Sequence, residues 1–150
     1  MTPDAVPADD PDLTVTLEHL CRIEAQLGQI TVIGPTPAGT RTIVEVTGMV
    51  VEGARLHAHL HGQPAGDWLT QGADGTATLD VRATLETDDG ALIHLRYGGR
   101  SARTPENPHN YVAAVFETSD PRYAWLNQIQ AVGKGLRVGD RMLYELYQVR

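Results

Sequence analysis

The sequence predicts an all-β protein: a single-domain antiparallel β-barrel or strongly curled sandwich of about eight to ten strands, with one or two short helical turns. Apolar and polar residues alternate along several short segments, and the segments recur at the spacing of about 8–12 residues that is typical of sandwiches and barrels. Turn-forming residues separate them, and the chain contains 15 glycines and 9 prolines in 150 residues. This composition favours many short strands over long helices.

The clearest element is a β-hairpin between residues 79 and 97. Apolar residues occupy every second position in both arms, and Asp88-Asp89-Gly90 lies between the arms. An Asp-Gly turn between two alternating runs is the strongest local signal for a hairpin. The polar face of the first arm carries Asp80 and Arg82, which would line the interior of a small barrel or lie in solvent. The pattern leaves both possibilities open.

The remaining elements follow from the same signals. We expect a flexible acidic tail over residues 1–12 and the barrel domain over residues 13–150. The sequence Asp120-Pro121 predicts the start of a short helix, because aspartate is a favoured N-cap and proline a favoured first helical residue. Further strands are expected near residues 21–27, 42–51, 55–61, 111–116, 127–132 and 141–149.

The net charge of −7 disfavours nucleic acid and anionic membranes as partners, since both need clustered lysine and arginine. The sequence has no apolar run of about 18 residues, so no membrane-spanning helix is expected. A single cysteine, Cys21, cannot form an internal disulfide and is compatible with a reducing compartment. The first residues lack the features of a signal peptide. We therefore expect a cytoplasmic protein.

A set of seven short motifs, in a fixed order, resembles the family called domain of unknown function 3237, also uncharacterised protein family 0311. The motifs are Gly34-x-x-x-x-Gly39-x-Arg41, Gly66-Asp67-Trp68, Asp74-Gly75, Leu79-Asp80-x-Arg82, Thr87-Asp88-Asp89-Gly90-Ala91-Leu92-Ile93, Phe116-Glu117-Thr118 and Tyr123-Ala124-Trp125-Leu126-Asn127.

The resemblance implies a compact antiparallel β-barrel and a link to natural-product pathways, in which ring-closing acid–base chemistry on small aromatic molecules has been proposed. One motif departs from the family pattern. The usual Gly-Gly-Ala-Asp-Trp is Pro64-Ala65-Gly66-Asp67-Trp68 in this chain.

The candidate catalytic residues are three acids that could remove a proton and two groups that could stabilise an oxyanion. The acids are Asp67, Asp80 and Glu117, and the stabilising groups are Arg82 and Tyr123. The alternative for Asp80 and Arg82 is a solvated or structural ion pair.

Substrate-binding residues are expected where aromatic walls meet a few polar groups. These are Trp68, Trp125 and Asn127. Trp68 could instead plug one end of the barrel.

The His57-x-His59-x-His61 pattern places three imidazoles on one strand face. Two of them could share a metal ion, but the acidic ligand expected a few residues later is missing, and a solvated strand face is the favoured interpretation. We expect neither a metal nor another cofactor.

These observations predict a small-molecule-binding barrel. The favoured function is a cofactor-independent acid–base enzyme (an isomerase, lyase or cyclase) acting on a small organic substrate, possibly aromatic or polyketide-like. Two alternatives stay open: a non-catalytic binding or carrier module, and a structural oligomer whose barrel is filled. A homodimer is expected, because edge strands need to be paired or covered and residues 111–116 offer an apolar surface.

Overall fold

In the computed structural model, which describes residues 10–150, nine antiparallel strands form one closed β-barrel and confirm the predicted fold class. The strands are β1 (Leu17–Thr36), β2 (Gly39–Glu52), β3 (His57–Leu60), β4 (Gly66–Gln71), β5 (Ala77–Thr87), β6 (Leu92–Ser101), β7 (Asn110–Glu117), β8 (Ala131–Val138) and β9 (Arg141–Val149). Two 3₁₀ helices, Pro11–Leu13 and Pro121–Gln128, complete the elements.

The barrel closes because β1 pairs with both β2 and β9. From β9 the sheet continues in order through β8, β7, β6 and β5. Two short strands bridge β5 and β2: β3 at one end of the barrel and β4 at the other. Every strand therefore has neighbours on both sides.

The β5–β6 hairpin has the register that its alternation predicts. Leu85 lies opposite Ile93 and Ala83 opposite Leu95, and all four side chains are buried inside the barrel. Gly90 adopts a φ of 91° in the turn, a conformation that favours glycine. Burying each large aliphatic side chain of this kind contributes about 1.5–3 kcal/mol to stability.

The closing strand β8 differs from the sequence-based expectation. Asn127, expected in that strand, belongs to the second 3₁₀ helix, and β8 itself runs through Gly133 and Gly135. A Cβ at Gly135 would lie 2.3 Å from the ring of Tyr144 on β9. The glycine therefore makes room for the tyrosine ring, which lies inside the barrel.

The second 3₁₀ helix packs against one end of the barrel. Asp120 caps it by accepting a hydrogen bond from the backbone N–H of Arg122 at 2.9 Å, and Pro121 is its first residue, as predicted. Leu126 is fully buried in the core. This end is therefore filled with side chains.

Residues 1–9 of the expected N-terminal tail lie outside the described residues. The last part of that segment belongs to a short 3₁₀ helix, which Asp10 caps through the backbone N–H of Asp12. No helix of residues 10–150 is long and apolar enough to cross a membrane. Cys21 is buried in the barrel wall, and burial, followed by the charge of Glu145, raises the pKa of its thiol to about 12.

Candidate active site

A cavity of about 110 Å³ lies inside the barrel at the end opposite the second 3₁₀ helix. Strand β7 separates the two ends: Asn110 at its start lines the cavity, and the helix follows its last residue, Glu117. A strand of this length spans roughly 23 Å. The cavity has an apolar wall, mainly from β1, β2, β4 and β5. Its polar lining residues are Thr42, Asp67, Tyr97, Arg103, Asn110, Arg137 and Tyr144.

Asp67 is the acidic residue of this lining. It lies on β4 opposite Val44 and Val81, whose side chains face the interior. Its Oδ1 accepts a hydrogen bond from the backbone N–H of Asp80 at 2.9 Å. Burial raises the pKa of the Asp67 carboxyl, although this hydrogen bond and the charge of Arg103 act in the opposite direction. The carboxyl is therefore easier to protonate than an exposed aspartate.

Tyr97 brings a phenol to the same cavity. It lies on β6 opposite Val81 and is buried. Within residues 10–150 its hydroxyl forms no hydrogen bond, so it is available to a molecule in the cavity. Burial, together with the charges of Tyr144 and Asp67, raises the pKa of Tyr97 well above its ordinary value. The phenol therefore stays protonated and can act as a hydrogen-bond donor.

A second phenol, Tyr144, packs edge-on against Tyr97 with ring centroids 5.2 Å apart. Its hydroxyl accepts a hydrogen bond from Nδ2 of Asn110 at 2.9 Å. Burial raises the pKa of Tyr144 to about 12. Tyr144 is thus held in place by a protein partner, whereas Tyr97 is not.

Two arginines, Arg103 and Arg137, lie at the open end of the barrel. Arg103 lies in the loop after β6 and has a φ of 52°, a left-handed conformation that is uncommon for residues other than glycine. Arg137, near the end of β8, donates from Nε to the carbonyl of Gly139 at 2.8 Å. Both residues line the cavity.

The structure places Asp80 and Arg82 on the outer face of the barrel. Residues Leu79, Val81 and Ala83 of the same strand point inward, so the intervening side chains point outward. Nε of Arg82 lies 3.5 Å from Oδ1 of Asp80, and both side chains are exposed to solvent. Asp80 and Arg82 therefore form a solvated ion pair, and they do not line the interior of the barrel.

Trp68 and Glu117 also point away from the cavity. Trp68 neighbours Asp67 and is exposed on the outer face, so it neither forms a pocket floor nor plugs the barrel. Glu117 follows the buried Phe116 and is exposed beside His94 of β6.

The helix residues Tyr123, Trp125 and Asn127 lie at the closed end. The Tyr123 hydroxyl donates to Oδ1 of Asp89 at 2.8 Å, which ties the helix to the hairpin turn. The Arg55 guanidinium stacks 3.7 Å from the centre of the Trp125 ring. Asn127 bonds to both the backbone N–H and the carbonyl of Thr118. These contacts hold the helix against the end of the barrel.

Eight residues were proposed for the site from the sequence. Of these eight, only Asp67 lines the cavity.

His57, His59 and His61 lie on the exposed face of β3 and beside it. Nδ1 of His57 is 2.6 Å from Glu52, and Nδ1 of His61 is 3.0 Å from Glu86. Among residues 10–150 no group of three or more histidine, cysteine, aspartate or glutamate side chains is placed to hold a metal ion. The expectation of a metal-free protein stays a prediction.

The sequence patterns did not point to the other six polar residues of the cavity. One signal was available: Tyr97 shares the parity of Ile93 and Leu95 on β6, and so it had to face the interior. Arg103 and Arg137 lie outside any alternating apolar run, and the pairing of β7 with both β6 and β8 brings them to the same end of the barrel.

Known proteins of similar sequence and structure include one with a named activity. The chain is 29% identical over 133 residues to the hydroalkoxylation enzyme phnH of Penicillium herquei, with 89% of this chain and 83% of that protein covered. It is also 29% identical over 160 residues to a UPF0311 protein of Rhodopseudomonas palustris, covering 91% and 99% of the two chains.

The crystal structure of a beta-barrel like protein from Acinetobacter baumannii AYE matches the fold with a TM-score of 0.85 at 33% identity, covering 91% of this chain and 97% of that one. The model of the family described as protein of unknown function, DUF3237, matches residues 15–149. The chain therefore belongs to the DUF3237 family, as its ordered motifs predict.

Proposed function

We propose that the barrel binds a small organic molecule in its open end and catalyses an acid–base reaction on it. Asp67 transfers the proton, and Tyr97 donates a hydrogen bond to an oxygen of the substrate. One observation carries this proposal: a partly buried carboxyl with a raised pKa faces a largely apolar cavity beside a buried phenol that has no partner within residues 10–150.

The two groups have complementary chemistry. A carboxyl whose pKa is raised by burial releases its proton less readily than an exposed carboxyl, and it can both accept and release a proton during turnover. A preorganised phenol in a dry site stabilises the negative charge that develops on an oxygen when its neighbour loses a proton. The apolar wall, which includes Leu27, Val44 and Leu69, suits an aromatic or polyketide-like body.

One relative is named a hydroalkoxylation enzyme, and this reaction closes a ring when the alcohol and the alkene belong to the same molecule. Hydroalkoxylation adds the O–H bond of an alcohol across a carbon–carbon double bond. The hydroxyl oxygen forms a bond to one carbon, a proton is added to the other, and the hydroxyl proton is lost to a base. A single carboxyl that gives and takes protons, as proposed for Asp67, can serve such a reaction, so a cyclase is favoured over an isomerase or a lyase.

A carrier without turnover is the second candidate. It is favoured by the hydrogen bond between the Asp67 carboxyl and the Asp80 backbone N–H, because that bond also gives the carboxyl a structural role in the barrel wall. The same apolar cavity would then hold a ligand that leaves unchanged.

Deuterium incorporation separates the two candidates. A panel of 2-alkenylphenols is incubated with the protein in D₂O, and the cyclic ethers are analysed by mass spectrometry. We expect a product with one deuterium on carbon. Asp67→Asn should lower the rate by about 10²–10⁴-fold, the usual size of a general acid–base contribution. Asp80→Asn, which changes an acid on the outer face, is the matched control.

Turnover that survives Asp67→Asn would contradict the proposed role of this residue. Binding of the alkenylphenols without any product or exchange would favour the carrier.

We also propose that the protein is a cytoplasmic homodimer. Tyr111 and Val115 are both exposed on the outer face of β7, four residues apart, and their burial against a second copy would remove apolar surface from water. Sedimentation of a clean monomer at high micromolar concentration would contradict the dimer.

A further inference from the structure

We infer that Arg103 and Arg137 bind an anionic group of the ligand, so that the barrel selects molecules with an apolar body and a carboxylate or similar anion at one end. This inference rests on the proposed ligand site in the barrel and adds the class of molecule that the site accepts.

The position of the two arginines supports this role. Both line the inner cavity, and both line a second cavity of about 360 Å³ outside it, which also shares Asn110 and Met142 with the first. A ligand that reaches the inner cavity through the outer one would therefore meet both residues. Asp67, in contrast, lies on the barrel wall between β2 and β5.

The guanidinium groups have room for a ligand. In residues 10–150 Arg103 takes part in no ion pair, and its charge lowers the pKa of Asp67 without forming a salt bridge to it. Arg137 donates a hydrogen bond from Nε to the carbonyl of Gly139, and its two terminal nitrogens take no part in this bond. The left-handed backbone of Arg103 costs energy, and such conformations are concentrated at ligand-binding sites.

The local charge differs in sign from that of the whole chain. The net charge is −7, but the charged residues that line the two cavities are Asp67 and the two arginines. A guanidinium offers a planar pair of N–H donors that matches the two oxygens of a carboxylate. A positive entrance on an acidic protein therefore favours anions over neutral molecules of the same shape.

The test compares two probes that differ only in charge, 2-naphthoate and its neutral amide 2-naphthamide, by isothermal titration calorimetry. We expect the naphthoate to bind at least about 10-fold more tightly, and its affinity to fall as salt is added. Arg103→Gln and Arg137→Gln should each remove most of the preference while leaving the affinity for naphthamide unchanged. Arg82→Gln on the outer face is the matched control and should change neither affinity. Circular dichroism checks that each variant is folded.

Equal affinity of the wild-type protein for the two probes would overturn this inference and leave the proposed acid–base site intact. If the arginine variants lose affinity for both probes equally, the inference is also overturned, because the arginines would then have a structural role. If neither probe binds the wild-type protein at millimolar concentration, the ligand site in the barrel is itself wrong.

Discussion

The carboxylate of Asp67 accepts a hydrogen bond from the backbone N–H of Asp80 at 2.9 Å, although the two side chains lie on opposite faces of the barrel wall. Strands β4 and β5 pair at Asp67–Val81 and again at Thr70–Thr78. The Asp67 carboxylate accepts the hydrogen bond of the Asp80 N–H, which lies between these two pairs. One acid is thus held inside the barrel by the backbone of another acid that faces solvent.

Replacing Asp67 with asparagine should stabilise the protein at neutral pH. The folded-state pKa of Asp67 is raised, so its favourable contribution is present below the unfolded pKa and is lost as the pH rises through the folded pKa. Asparagine carries no charge and keeps an oxygen for the Asp80 N–H. We expect a gain of about 0.5–1 kcal/mol at pH 7–8, or roughly 1–4 °C in Tm.

Thermal melts of both proteins at several pH values measure this difference, which should shrink below about pH 4, where an ordinary aspartate is protonated. A variant that is less stable than the wild type at pH 8 would show that the charged carboxylate stabilises the fold.

The two cavity tyrosines should respond differently to loss of the hydroxyl. Tyr97→Phe removes a group without a partner in the described chain, so its free energy of unfolding should change by less than about 0.5 kcal/mol. Tyr144→Phe removes the acceptor of the Asn110 amide and should cost about 1 kcal/mol. Urea denaturation measures both values.

Turnover or ligand affinity should fall more in Tyr97→Phe than in Tyr144→Phe, the reverse of the order expected for stability. The loss in Tyr97→Phe should be about 10-fold or more, because one hydrogen bond to an ionised oxygen is lost. Equal effects of the two substitutions on both properties would argue against a separate role for Tyr97.

Arg82→Ala should leave both the fold and the ligand site intact. The side chain is exposed on the outer face, where its ion pair with Asp80 contributes at most about 1 kcal/mol. We expect unchanged affinity for 2-naphthoate in calorimetry and a Tm within about 3 °C of the wild type. A selective loss of naphthoate affinity would instead place Arg82 in the binding site.

Chelation should not destabilise the protein. The imidazoles of His57 and His61 each contact a glutamate, so both rings already have a polar partner within the protein. Thermal melts before and after treatment with EDTA should therefore agree. A fall in Tm of about 10 °C that zinc or nickel restores would reveal a metal bound to the native state.

The prediction of the β5–β6 hairpin succeeded because its signals are local. The alternation from Leu79 to Leu85 is long enough to fix which side chains share a face, and the Asp-Gly turn sets the pairing. The same alternation assigns Asp80 and Arg82 to the face opposite the apolar side chains. Their position on the outside follows once that apolar face packs inward.

The candidate site was harder to predict because its residues belong to short or irregular segments. Asp67 lies between Gly66 and Trp68, where no alternating run defines an inner face. Its inward direction depends on pairing with Val44 of β2 and Val81 of β5, and the local pattern around Asp67 does not show these pairings. Tyr123 and Trp125 were expected beside it, but β7 carries the following helix to the other end of the barrel.

The sequence by itself determined the family, the β-barrel class, the β5–β6 hairpin and the capped helix at Asp120, and it singled out one residue of the cavity lining, Asp67. These features depend on residue periodicity, turn chemistry and ordered motifs, which are encoded within short stretches of chain. Only the tertiary structure decided which end of the barrel is open and that Tyr97, Arg103 and Arg137 meet Asp67 there. The pairing of β4 with β5 and of β5 with β6 places Tyr97 near Asp67, and the pairing of β6 with β7 and of β7 with β8 brings Arg103 and Arg137 to the same end. Residue periodicity within one strand does not encode these contacts, because each of them joins residues from different strands.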